Sequence, residues 1–332
     1  MTSRKTLWAQ VFSTSSVVAE NILIKFILDK RYDVYMLDLQ INGLATEDFS
    51  CNFWQAPEDA SINSLNDYLN KKGVEQYLAT IITSSYDSFV TNLKRIQNYS
   101  NKFANENLLG VHIEGGLITR LGVHPPEHAT ALNYKEAKSL IADFPGLIKL
   151  WTICPKLDPQ GEVTRLAQDN GILVSYGHSN ASYNEAQRAF ENYGVNLVTH
   201  WGNAMYIMND FEQRDCSDLD LSRLDTEIDG GIGLAAYQNP NIYCMAIAGS
   251  KKDGDEHIDP RLLKKLFAKK KDKMILVSDS VVLRPEINNL QGGLVSLAKH
   301  AQNAIAIGIP EAAVKQACNE TPKKLLKLGV IN

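Results

Sequence analysis

Two segments decide how this chain folds: Ile172-Leu173-Val174-Ser175-Tyr176-Gly177-His178-Ser179-Asn180 and Leu197-Val198-Thr199-His200-Trp201-Gly202-Asn203-Ala204-Met205. Each is a short apolar run that ends in a histidine. Fully buried strands of a parallel sheet read as such runs, and in a β/α barrel their C-terminal ends carry the functional side chains. Two such strands in succession, each delivering an imidazole, set the pattern to look for elsewhere.

The same rhythm recurs outward from this pair. Strands are expected at 34–40, 77–83, 108–114, 148–154, 172–178, 197–201, 242–247 and 274–279, the eight that a closed (β/α)8 barrel needs. Helical spacing fills the gaps. In 85–105 the apolar residues Phe89, Leu93 and Ile96 fall on one face, and 134–144, 162–168, 183–193 and 260–270 behave alike. Ser182 and Glu185 have the spacing of a capping box, and Asp259-Pro260 supplies an N-cap followed by proline at the first helical position. From Leu294 onward two helices are expected, broken near Gly308-Ile309-Pro310. The stretch 205–233 is long, polar and acidic with no strand in it; it reads as a lid, binding loop or interface segment, or else as a disordered insertion. The organisation expected is an N-terminal segment, 1–33, followed by an α/β TIM-like barrel over 34–332.

Composition narrows the function. The 332 residues are 44% hydrophobic and 22% charged, enough apolar material for a large core. A net charge of −4 argues against binding nucleic acid through phosphate neutralisation. The lysines between Lys264 and Lys273 read as a solvated helix face. Five cysteines without a CxxC fit free thiols in a reducing compartment. No apolar run approaches the ~20 residues that span a bilayer, and the N-terminus lacks a signal-peptide core, so a cytoplasmic protein is expected.

The polar residues at the expected strand ends are Gln40 and Asn42, Glu114, His178, His200 and Asp279. A carboxylate with two imidazoles suits a zinc-like cation and leaves a coordination position open. A further carboxylate, Asp279, can then serve as general base and acid. Singly, each has a structural explanation, a hydrogen-bonded histidine or a capping aspartate. Together, at four strand ends, they are hard to obtain from packing alone.

These residues resemble the N-acetylglucosamine-6-phosphate deacetylase family, a branch of the amidohydrolase superfamily. The likeness is carried by Asp38-Leu39-Gln40-Ile41-Asn42-Gly43, by Gly110-Val111-His112-Ile113-Glu114-Gly115 with Gly122-Val123-His124, by Gly177-His178-Ser179-Asn180-Ala181, by Thr199-His200-Trp201-Gly202-Asn203-Ala204-Met205 and by Leu276-Val277-Ser278-Asp279. The resemblance implies one divalent metal (zinc foremost; iron, cobalt or manganese can share such a site) held by Glu114, His178 and His200. Asp279 would move the protons, and His124, Asn203, Ala204 and His257 would contact an amino-sugar substrate. Family members are commonly dimers, so the resemblance also points to a homodimer; from charge and hydropathy, neither nucleic-acid nor membrane partners are expected. Gln40 and Asn42 replace the H-x-H with which many amidohydrolases bind a second metal, and amides are poor zinc ligands, so one metal is expected.

The chain departs from the family in four places. The R-E-P-G segment that supplies a phosphate-binding arginine is missing, leaving Arg214 or Arg223 to replace it amid acidic neighbours. Gly116 stands where the family has proline. Lys251-Lys252-Asp253-Gly254-Asp255-Glu256 is inserted before His257, and the accessory β-sandwich is largely missing. The expected activity is deacetylation of N-acetylglucosamine 6-phosphate. Two alternatives are an amidohydrolase for an unphosphorylated N-acyl compound and a non-catalytic sugar-binding barrel.

Overall fold

A computed structural model describes residues 35–103, 106–208, 215–216, 219–284 and 291–328. The segment 1–33 lies outside the described residues, as does Arg214. The described strands are β1 (Met36–Ile41), the short β2 (Gly43–Ala45) and β3 (Ser50–Asn52), β4 (Val74–Ile82), β5 (Leu108–Glu114), β6 (Ile148–Ile153), β7 (Leu173–Tyr176), β8 (Leu197–Val198), β9 (Tyr243–Ala246) and β10 (Met274–Leu276). Eight of them form one parallel sheet in the order β1-β4-β5-β6-β7-β8-β9-β10, while β2 and β3 make a separate antiparallel hairpin. All eight barrel strands stand where the apolar runs place them. Among the described residues, the hairpin is the only sheet outside the barrel.

Strand alternation divides the core. Val111, Ile113, Trp151, Ile153, Val174 and Tyr176 belong to the larger buried cluster, which also holds the apolar helix positions. Leu78, Leu150, Leu197, Met245, Ile275 and Val277 form the second, smaller cluster. A polar tier lies on the same strands. His112 Nε2 is 2.7 Å from Thr152 Oγ1, Thr152 Oγ1 is 2.7 Å from Thr199 Oγ1, and Ser175 Oγ is 2.7 Å from Thr199 Oγ1. Burial pushes His112 down to about 4, so its ring is neutral.

The barrel closes without a regular ladder. Ile41 and Ser280 form an isolated parallel bridge, with Asn42 N and Gly43 N both donating to Ser280 O at 2.9 and 3.0 Å. Below it a side chain does the backbone's work: the Asp38 carboxylate accepts from Ser278 N at 3.2 and 3.3 Å and from Gln40 N at 3.2 Å. Burial pushes this carboxyl up to about 7, even though the Ser278 hydroxyl and the two amides favour its charge. The folded state therefore keeps a proton that the unfolded chain releases near pH ~4, and stability falls as pH rises from there to about 7. Asp38→Asn is expected to remove about 2–3 kcal/mol of the stability lost between about pH 5 and pH 8. Denaturant melts of both proteins at the two pH values check this; equal losses would refute it.

The helices are α1 (Asp59–Lys71), α2 (Tyr86–Lys102), α3 (Tyr134–Asp143), α4 (Glu162–Asp169), α5 (Tyr183–Tyr193), α6 (Arg223–Thr226), α7 (Ile232–Gln238), α8 (Pro260–Lys270), α9 (Leu297–Ala306), α10 (Glu311–Cys318) and α11 (Glu320–Leu328). The Ser182–Glu185 capping box opens α5, and Asp259 caps α8 by accepting from Arg261 N. The C-terminal region holds three helices rather than two, because a second break falls at Asn319, whose φ of −134 is not helical. Among the described residues of the stretch 205–233, α6 lies inside it and α7 begins at its end. The lysines of α8 are not uniformly solvated. Lys270 is buried, its Nζ donating to the carbonyls of Asn239 (2.6 Å) and Ala236. All five cysteines are buried free thiols, and no described helix is long and apolar enough to cross a membrane.

Candidate active site

The polar strand ends meet at one mouth of the barrel. Glu114 ends β5, His178 lies two residues beyond β7, His200 two beyond β8 and Asp279 three beyond β10. His178, His200 and Asp279 all have positive φ, of 46°, 26° and 49°. Non-glycine residues rarely adopt this left-handed conformation, and it costs about 1–3 kcal/mol at each position. Three polar residues held so at one mouth mark the place where the fold gives up stability to aim side chains.

Three ligand atoms converge there. Glu114 Oε1 is 3.2 Å from His178 Nε2 and 2.9 Å from His200 Nε2, and the two imidazole nitrogens are 3.0 Å apart. In a tetrahedral zinc shell with bonds near 2.0–2.2 Å, ligand atoms stand about 3.3–3.5 Å apart, so these contacts are close to that spacing. The Nδ1 of His178 lies 2.6 Å from the Arg120 carbonyl oxygen. As donor there, it fixes the tautomer that leaves the Nε2 lone pair directed at the convergence point. Lone pairs cannot face one another at about 3 Å without a positive charge between them, either a proton on one of the nitrogens or a metal ion. Burial works against a charged His200, yet hydrogen bonding and the charge of Glu114 push it up to about 8. Burial also opposes the charge on Glu114, but its bonds to His178 and His200 hold it well below the usual carboxylate range. A donor set that shares one positive charge this way could hold a metal ion.

His124 offers a competing third ligand, since its ring, Glu114 and His178 also form a cluster of metal-binding type. It is the weaker choice. Its Nε2 is 4.0 Å from Glu114 Oε2, and its Nδ1 is bound to Thr83 Oγ1 at 2.9 Å. Burial, with His178 beside it, pushes His124 down to about 3, so it stands as a neutral ring over the site.

Gln40 and Asn42 have a defined task. Gln40 Nε2 donates to Glu114 Oε1 and to Asp279 Oδ1, both at 2.8 Å, and Asn42 Nδ2 donates to the same Asp279 oxygen at 2.7 Å. One amide thus satisfies two carboxylates, which a neutral imidazole with a single N–H cannot do. Both donors fall on Oδ1, leaving Oδ2 to face the cavity. Burial raises Asp279 well above the usual carboxylate range, and the charge of Glu114 adds to the rise.

The mouth opens into a cavity of about 390 Å³. Glu114, His124, His178, His200, Asn203, Ala204, His257 and Asp279 all line it. His257 lines the cavity with the insertion folded beside it. Lys251–Asp253 forms a single 3-10 turn, Gly254 turns at φ 68, and Asp255 is buried with Oδ1 3.0 Å from His257 Nε2. Gly116 has φ 75, a conformation closed to proline, and an added Cβ would meet Leu132 at 2.5 Å. Arg223 does not line the cavity; it pairs with Glu227 at 3.5 Å. Sequence reasoning missed Asp255, Trp54, Arg120 and Arg284. Arg120 lies in the short gap between the two motif pieces Gly110–Gly115 and Gly122–His124.

Barrel and mouth together resemble those of N-acetylglucosamine-6-phosphate deacetylases, to which the chain is similar both in sequence and in structure. The enzyme from Bos taurus is 32% identical over 175 residues, covering 51% of this chain and 42% of that protein. The Rattus norvegicus enzyme is 29% identical over 251 residues, covering 74% of this chain and 56% of that one. The crystal structure of the deacetylase from Pasteurella multocida superposes with a TM-score of 0.72 at 25% identity, covering 89% of this chain and 77% of that chain. The chain thus spans about half the length of the curated relatives it matches. No protein-family model matches it.

Proposed function

We propose that this protein hydrolyses the N-acetyl group of N-acetylglucosamine 6-phosphate, releasing acetate and glucosamine 6-phosphate, with Glu114, His178 and His200 holding one divalent metal. The observation that carries this reading is the meeting of those three ligand atoms within 3.2 Å of one another, beside a carboxylate fixed by two amides. Two imidazoles and one carboxylate suit zinc. When bound, such an ion supplies Lewis acidity, which polarises an amide carbonyl and acidifies water.

The chain's own groups do the rest. Asp279, with Oδ1 pinned by Gln40 and Asn42, presents Oδ2 to take the proton of the attacking water and to return it to the departing amine. The Arg120 carbonyl keeps His178 in one tautomer. Neutral His124 and the Asp255-oriented His257 stand on the cavity wall, where a sugar would rest. Five buried free thiols agree with a reducing, cytoplasmic setting. A purely binding barrel gives no reason for left-handed backbone at His178, His200 and Asp279 together.

Acetate release from N-acetylglucosamine 6-phosphate by the zinc-loaded protein tests the proposal. Absence of release with zinc, iron, cobalt and manganese alike would overturn it.

A further inference from the structure

The cavity wall carries two arginines, Arg120 and Arg284, that no described carboxylate pairs with. Arg284 is held with unusual care for a loop residue. Gln291 clamps its backbone from both sides: Gln291 Oε1 accepts from Arg284 N at 2.9 Å, and Gln291 Nε2 donates to Arg284 O at 2.7 Å. The guanidinium lies over the Trp54 ring, 5.1 Å from its centroid, and Nη2 donates to Val123 O at 2.8 Å. Every one of these anchors is neutral. They fix the planar group and shield one face, and among the described residues they bring no opposite charge to it. Arg120 is tied to the same wall, its N and O bonded to the backbone oxygen and the ring of His178.

We infer that Arg284, preorganised on Trp54, is the anion-binding end of the cavity, with Arg120 as a second cation, and that it takes the phosphate of a phosphorylated amino sugar. The inference rests on the reading of the site as an amino-sugar phosphate deacetylase. Arginine suits the task because its fork meets phosphate oxygens in pairs, and an arginine fixed beforehand loses little freedom on binding.

The test compares kcat/KM for N-acetylglucosamine 6-phosphate and for N-acetylglucosamine in the wild type, Arg284→Gln, Arg284→Lys, Arg120→Gln and the remote control Arg223→Gln. The preference for the phosphorylated sugar is expected to fall about 30-fold in Arg284→Gln, mainly through KM, and less in Arg284→Lys and Arg120→Gln. The control should keep it. An unchanged preference in Arg284→Gln overturns the inference and leaves the deacetylase reading intact. If the wild type hydrolyses neither sugar, that reading falls, and calorimetric titration with inorganic phosphate decides the inference. Phosphate binding that Arg284→Gln abolishes upholds the anion site; binding equal in both proteins, or absent from the wild type, overturns it.

Discussion

Asp279→Asn is expected to lower kcat for acetate release by about 10⁴-fold while the protein still holds its metal. The amide keeps the shape of the carboxylate and can still accept from Gln40 and Asn42 through one oxygen, so the mouth of the barrel should keep its form. What it loses is the ability to take a proton and give it back. Neighbouring groups cannot replace it. Glu114 is committed to two imidazoles, and burial leaves His124 with too little proton affinity to act as a base near neutrality. Metal analysis beside single-turnover kinetics checks the result. Activity within about tenfold of the wild type would remove Asp279 from the proton path.

His200→Ala should weaken metal binding by about 3 kcal/mol, roughly a quarter of what a complete four-ligand site provides, with activity falling in step. Its Nε2 lies within 3.0 Å of both other ligand atoms, so no other side chain closes the set as tightly. Two companion variants make the measurement decisive. Gln40→Ala removes a donor to Glu114 without removing a ligand, and its cost should stay within about 10–100-fold in affinity. His124→Ala should retain the ion. If His124→Ala sheds metal and His200→Ala keeps it, the ligand set is Glu114, His124 and His178.

Much of this was legible in the sequence, for identifiable reasons. Parallel strands buried on both faces write themselves as apolar runs, and the residue that ends each run is at the mouth by construction; Glu114, His178, His200 and Asp279 were found this way. Long amphipathic helices were found by their period. Elements of low signal were missed. The strands of the 43–52 hairpin have three residues each, and α1 buries Ile62, Leu65 and Leu69 within a polar, asparagine-rich stretch. The break at Asn319 carries neither proline nor glycine. Arg284 had no pattern to betray it. A single arginine in a loop becomes meaningful only when Trp54 and Val123, distant in the chain, and Gln291, seven residues on, are brought against it.

The left-handed backbone at His178, His200 and Asp279 has a consequence for anyone who engineers this protein. Glycine adopts that conformation without strain, so replacing one of these residues by glycine should offset, and in part exceed, the loss of its side-chain contacts. Glycine variants at these three positions are therefore expected to melt no lower than the parent when both are stripped of metal. A selection for thermal tolerance alone would tend to replace these mouth residues, and screens for robust forms must keep a turnover assay in the loop.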